Sequence, residues 1–181
     1  MGISPDVVIS SAFKLAQQKG WEQVSVRSIA KEIGYSTMKI YSDFGSKEQL
    51  LYEIQKKGFG QLSAGYQEAL AISTSPEDAL EKLALNHLRF ALKHPTYYEL
   101  MFDHKFNNCK SEAAKIKHEV CKIYLKVIEE IGVEEPQTAF LQLFSMLYGY
   151  IKISEEFSNL SDELMEANMK QFVKNFVYGI K

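Results

Sequence analysis

A chain of 181 residues with 46% hydrophobic side chains can bury one compact core, or a small head and a larger body, and four prolines and ten glycines are too few for a disordered or fibrous protein. No run approaches the roughly 18 unbroken apolar residues of a membrane span, and residues 1–20 mix Asp6, Lys14 and Lys19 into an amphipathic pattern unlike a secretory signal. A net charge of −2 excludes a protein coated in basic charge, while two cysteines, Cys109 and Cys121, without C-x-x-C spacing exclude a disulfide framework or a thiolate zinc site and fit a reducing cytoplasm.

Helical punctuation is dense and nothing alternates with period two over a strand's length, which predicts an all-α chain. Ser4-Pro5-Asp6 supplies an N-cap hydroxyl, a proline whose missing N–H costs nothing, and an acid that suits the helix dipole. Val8, Ala12, Leu15 and Ala16 follow at helical spacing, and Gly20 closes the helix in a left-handed conformation. A short helix after Ser25 turns Val26, Ile29, Ala30 and Ile33 inward and ends at Gly34. The next begins at Ser36 and is anchored at its far end by Tyr41 and Phe44, so only Gly34-Tyr35 separates the two, the connection of a helix-turn-helix.

Ser46-Lys47-Glu48-Gln49 has capping-box spacing and announces a long helix to about residue 72. Gly58, Gly60 and Gly65 each lower its propensity by roughly 1 kcal/mol against alanine, which predicts a bend or close packing. Ser75-Pro76-Glu77-Asp78 opens another helix that stops at His94-Pro95, and a short aromatic helix follows over Tyr97–Phe102. After a polar loop at Asn107-Asn108, helices are predicted from Ser111 to Gly132, from Pro136 through Ile151, and from the Ser161 cap through Phe176. Charge is uneven: residues 1–57 carry eight Lys/Arg and six Asp/Glu, or +2, and residues 58–181 carry thirteen and seventeen, or −4.

The segment 20–51, GWEQVSVRSIAKEIGYSTMKIYSDFGSKEQLL, resembles the DNA-binding signature of the TetR family through Gly20-Trp21, Val26-Arg27, Ile29-Ala30, Gly34, Ser36, Ile40-Tyr41, Phe44, Ser46-Lys47-Glu48 and Leu50-Leu51. The resemblance implies a three-helix head joined by a connecting helix to a helical effector-binding and dimerisation body, with the DNA-binding domain over 1–48 and the body over 49–181. It implies double-stranded operator DNA as partner, with Thr37, Met38 and Lys39 at the major groove. There Lys39 can donate to guanine O6 and N7, and Met38 can pack on a thymine methyl. Ser36, Tyr41, Ser42 and Lys47, and Ser25, Val26 and Arg27 at the preceding helix N-terminus, are the remaining contact candidates, chiefly to phosphate. Relatives more often carry a small residue or proline followed by threonine where this chain has Met38-Lys39, so no operator sequence transfers.

The body resembles the TetR C-terminal variety known for a Trp-His-Gly motif, with Phe144 and Tyr148 in the first two positions and Gly149 retained. That resemblance implies an apolar cavity lined by His87, Tyr98, Met101, Phe102, Tyr124, Phe144 and Tyr148 for a small, largely apolar effector. It also implies a homodimer through Phe140, Phe144, Leu147, Leu164, Phe172, Val173 and Phe176. A filled core and a body that binds a protein partner are the alternatives. His87, His94, His104 and His118 lack the i, i+4 spacing of a helical zinc site, so no metal and no cofactor is expected. No G-x-S-x-G elbow, P-loop, dinucleotide fingerprint or H-E-x-x-H is present, which argues against an enzyme.

Overall fold

The computed structural model describes residues 4–106, 112–156 and 160–180; the loop expected at Asn107-Asn108, Cys109 and the helix start expected at Ser111 lie outside them. Among the described residues there are nine α-helices and no strand: α1 (Pro5–Lys19), α2 (Val26–Ile33), α3 (Thr37–Phe44), α4 (Lys47–Ala71), α5 (Pro76–Lys93), α6 (Pro95–Phe102), α7 (Glu112–Ile131), α8 (Pro136–Ser154) and α9 (Asp162–Ile180). Two 3-10 turns lie at Trp21–Gln23, where the Gly20-Trp21 pair of the signature falls, and at His104–Phe106, which has no counterpart among the elements expected from the sequence. None of these helices is long and apolar enough to cross a membrane.

The helix starts follow from local chemistry. Hydroxyls of Ser4, Ser25, Ser36, Ser46, Ser75 and Ser161 each accept a hydrogen bond from a backbone N–H of the first turn they precede. At Ser46 the predicted box is half made, because Gln49 Nε2 donates to Glu53 while its backbone N–H takes the serine. Gly34 is left-handed (φ 67°, ψ 35°), as a tight helix-turn-helix connection requires, and the Tyr35 N–H returns to the Ala30 carbonyl at 2.8 Å. Gly20 also has positive φ, but its ψ of 157° is extended, so the chain leaves α1 straight into the turn at Trp21.

The chain packs as two compact units, Met1–Phe59 with His94–Ile116 and Gly60–Lys93 with Lys117–Lys181. In the first, the head unit, Val8, Ala12 and Leu15 of α1, Val26, Ile29 and Ala30 of α2, Ile40 and Phe44 of α3, and Leu50 and Ile54 of α4 form one apolar core. Ile33 is half-buried against it. The aromatic helix α6 belongs to this core. Leu100 is fully buried in it, Trp21 Nε1 donates to the Thr96 carbonyl at 2.7 Å, and Gln55 Nε2 donates to the Leu100 carbonyl at 2.7 Å. Phe13 stacks at 4.4 Å on Tyr97, and a Cβ built at Gly58 meets the Met101 sulfur at 2.5 Å, so bare backbone there admits the methionine.

In the body unit α5 packs on α8 and α9, and Leu80, Leu83, Leu88, Leu143, Leu147, Ile151, Met165, Met169 and Val173 are buried. Arg89 of α5 makes two hydrogen bonds to the Glu166 carboxylate of α9, at 2.7 and 2.6 Å. Gly65 of α4 faces the Asn86 amide, whose nitrogen would lie 2.3 Å from an added Cβ. Gly58 and Gly65 are therefore the close-packing positions expected of the α4 glycines, and Gly60 faces open space.

Candidate nucleic-acid interface and effector site

The core fixes α2 and α3 by burying Ile29, Ala30, Ile40 and Phe44, which leaves the opposite side of α3 outward. Met38 is 79% exposed, the most exposed large apolar side chain of the head. Thr37 and Lys39 are half-buried beside it, and Ser42 is exposed. Tyr41 is half exposed as well, which corrects its expected role as an anchor: Ile40 and Phe44, four residues apart, occupy the inward stripe and leave no room in it for position 41.

The flanking candidates divide by chemistry. The Ser25 and Ser36 hydroxyls are committed to capping α2 and α3, and Ser25 also exchanges bonds with Ser28 in a reciprocal box. The Val26 side chain is buried in the head core, so only its amide at the α2 N-terminus is left to meet a phosphate, the contact expected of this helix start. Arg27 is exposed on the first turn of α2, and Lys47 is half-buried as the first residue of α4. Glu48, beside it, is held below the usual carboxylate range by its own backbone N–H and then by the Ser46 hydroxyl.

Lys39 donates to the Asp43 carboxylate one turn along α3, and this bond holds the lysine above its ordinary pKa. Asp43 is absent from the candidates the sequence supplies, although the four-residue spacing from Lys39 was legible.

The seven effector-site candidates divide between the two units. In the head unit Met101 is fully buried against Gly58, and Tyr98 and Phe102 stack on each other at 4.6 Å, with Phe59 edge-on to Phe102 at 5.6 Å. Met101 thus packs within the head unit, its sulfur in the space that the glycine leaves. In the body unit His87 and Tyr124 are wholly buried, with Phe144 edge-on to His87 at 5.6 Å and Tyr148 half-buried on the same helix.

Three residues missed by the sequence reading join this second group. Tyr66 of α4 shares a hydrogen bond with His87 Nδ1 and stands edge-on to Tyr124 at 5.4 Å. Lys117 and Cys121 precede Tyr124 at helical spacing on one stripe of α7. Burial drives His87 down to about 3, assisted by Lys117, so the imidazole is neutral at pH 7. Burial likewise lowers Lys117 and pushes the Cys121 thiol up to about 11, leaving the thiol protonated. The Tyr124 hydroxyl, pushed up by burial, lies near that of Tyr66 but outside hydrogen-bond geometry, and is a buried donor without a partner. A period-3.6 pattern marks Tyr66 as inward-facing, but nothing local pairs it with a histidine 21 residues away.

The expected dimer residues are placed unevenly. Leu147, Val173 and Phe176 are buried in the protomer's own body core, which removes them as contacts for a second chain; Phe140, Phe144 and Phe172 are half-buried, and Leu164 is 47% exposed. The outward apolar side chains of α8 and α9 are instead Leu141, Met146, Ile153, Leu164 and Tyr178.

Residues 8–54 match the family described as bacterial regulatory proteins, tetR family, and residues 80–169 match the tetracyclin repressor-like C-terminal domain. The chain is 20% identical to YobS of Bacillus subtilis (strain 168), an uncharacterized HTH-type transcriptional regulator, over 99% of this chain and 94% of that protein. Its fold is similar to the TetR family regulator PfmR of Thermus thermophilus, with TM-score 0.74, 21% identity, and coverage of 96% of this chain and 98% of that one. It is similar too to the transcriptional regulator FadR of Bacillus subtilis, solved in complex with stearoyl-CoA, with TM-score 0.75, 19% identity, and coverage of 98% and 100%.

Proposed function

The chain belongs to the TetR family of transcriptional regulators, which are DNA-binding proteins and not enzymes, and from that premise we propose that it is a repressor that binds a palindromic operator as a homodimer and releases it on taking up a small, largely apolar effector. The observation that carries the reading is the outward face of α3, where Met38 stands 79% exposed beside Thr37 and Lys39 on a helix locked from behind by Ile40 and Phe44.

In this reading Thr37, Met38 and Lys39 read base edges. Ser36, Tyr41, Ser42, Lys47, Arg27 and the α2 N-terminal amides at Ser25 and Val26 fix register on the phosphates. Residues 1–48 act as the DNA-binding domain, and effector binding and dimerisation fall within residues 49–181, of which the start of α4 and α6 pack with the head. Two heads must reach half-sites about 34 Å apart, which a two-fold dimer supplies. The exposed Leu141, Met146 and Ile153 of α8 with Leu164 and Tyr178 of α9 form the dimer face. Effector contact falls to His87, Tyr66, Tyr124, Phe144 and Tyr148. The unpartnered Tyr124 hydroxyl supports this, because an unmet buried donor costs about 1–3 kcal/mol until something accepts from it. FadR of this fold was solved in complex with stearoyl-CoA, an apolar acyl chain on a charged carrier, which makes an acyl chain the apolar part to test first. Release requires that the effector bind the DNA-incompetent arrangement more tightly than the competent one. The helix α4, which begins at Lys47 and carries Tyr66, is the element that bears both events.

Selection of bound sites from random duplexes at low salt tests the DNA reading, and a palindromic product is expected. Sedimentation of wild type and Leu141→Glu tests the dimer face: the variant should sediment as a monomer and lose operator affinity. Mobility-shift titration of the selected site with stearoyl-CoA and with free stearate, each at saturation by calorimetry, tests release. Unchanged DNA affinity at saturation would sink the effector mechanism and leave DNA binding standing.

A further inference from the structure

Lys39 and Asp43 stand one turn apart on α3, with the lysine ammonium donating to Asp43 Oδ1. Helix stability does not ask for an acid at this position. Asp43 lies in the last turn of an eight-residue helix, where the dipole disfavours a carboxylate, and lysine before aspartate is the weaker order for a pair four residues apart. The carboxylate also adds negative charge to a helix that is to meet phosphates, which lowers affinity for every duplex. Yet it is the more sheltered half of the pair, with 19% of its side chain exposed against 42% for the lysine.

We infer that Asp43 is a positioning residue for base recognition, holding Lys39 so that its ammonium is presented to one guanine instead of being shared among phosphates. The inference rests on the reading of α3 as the base-contacting helix. A lysine ammonium carries three donors on a flexible four-carbon stem. Asp43 takes one donor and thereby fixes the direction of the other two, which suit the O6 and N7 acceptors of a single guanine. Without the carboxylate the stem regains its rotamers, and a phosphate attracts a mobile ammonium more strongly than a base edge does. Asp43 thus gives up overall affinity and gains discrimination.

The test uses the full-length protein. A site is selected from random duplexes, and that duplex and its single-base-pair variants are titrated at one salt concentration with wild type, Asp43→Asn, Asp43→Glu, Lys39→Ala and the Lys39→Ala/Asp43→Asn double variant. Asp43→Asn should bind an unrelated duplex about threefold more tightly because one repelling charge is gone. It should also lose about fivefold of the preference for guanine at one symmetric pair of positions. Asp43→Glu still reaches Lys39 and should keep the wild-type ratio. In the Lys39→Ala background, Asp43→Asn should change no ratio. If Asp43→Asn scales every duplex by the same factor, the inference is overturned, since charge removal alone does that. It is overturned equally if Lys39→Ala alters no base preference. If the wild type enriches no duplex, the reading of α3 falls and takes the inference with it.

Discussion

The head and the body cap their helices alike but differ in the polar groups they bury. In the head the hydroxyls of Ser25, Ser36 and Ser46 sit at helix starts, each bound to a local N–H, and the buried polar groups include the Ser11 hydroxyl, the Tyr98 phenol, and the Trp21 indole and Gln55 amide that donate to carbonyls of α6. In the body Tyr66, His87 and Tyr124 lie wholly inside, the first two bonded to each other and the third left with no acceptor. The head therefore displays its chemistry outward on a rigid frame, and the body keeps its chemistry within. A surface that reads DNA needs stiffness behind it, whereas an interior that answers to a ligand needs polar groups whose hydrogen bonding is incomplete until the ligand arrives.

The largest expected effect attacks the head's frame. Trp21→Ala removes a fully buried side chain and its bond to Thr96, and should destabilise the protein by about 3–5 kcal/mol in urea unfolding. A midpoint equal to wild type would mean that the Trp21–α6 contact does not support the head.

The second prediction concerns the body's interior. His87 titrates at about 3 in the folded protein and near 6.5 when unfolded, so the unfolded chain takes up a proton first as pH drops. The stability that its neutrality contributes is present above about pH 6.5 and is lost as pH falls toward 3. Between pH 7 and pH 5 that loss is about 2 kcal/mol. Urea curves should therefore show wild type losing about that much more than His87→Asn over this interval. Parallel losses would mean that the folded body admits the proton.

The third compares two glycines on one helix. Gly60→Ala meets open space and should stabilise by about 1 kcal/mol through helix propensity. Gly58→Ala forces its Cβ onto the buried Met101 sulfur and should destabilise by about 1–2 kcal/mol in thermal unfolding. Equal shifts would show that Met101 moves aside freely. The smallest effect lies on the head surface: Lys47→Ala should weaken binding to all duplexes alike and flatten the dependence of log affinity on log salt by about two units, one for each head of the dimer. A change confined to one base position would reassign Lys47 from phosphate to base contact.

Local chemistry explains why helix limits were legible. Serine caps, prolines at first turns and Gly34 act within four residues of themselves, so α1 to α5 begin and end within a residue or two of expectation. Most of the differences involve side chains whose surroundings come from distant segments. Met101 is expected at a cavity through the resemblance of the body, and its sulfur lies against Gly58, 43 positions earlier, in the head unit. Leu147, Val173 and Phe176 read as a surplus apolar face, yet the packing of α5 on α8 and α9 buries them within one protomer. Tyr41 shows the same limit at short range, because an aromatic next to Ile40 fits either face until the α3 stripe is fixed by Ile40 and Phe44.

By itself the sequence determined the all-helical course of the chain and the helix-turn-helix, because period, caps and a left-handed glycine are set by hydrogen bonds within a few residues. Only the tertiary structure decided that α6 completes the head, that His87 is neutral inside the body, and that Leu141, Met146 and Ile153 are the large apolar residues of α8 left facing out. Those outcomes depend on burial, and burial is a property of which distant helices meet, not of any one helix's own pattern.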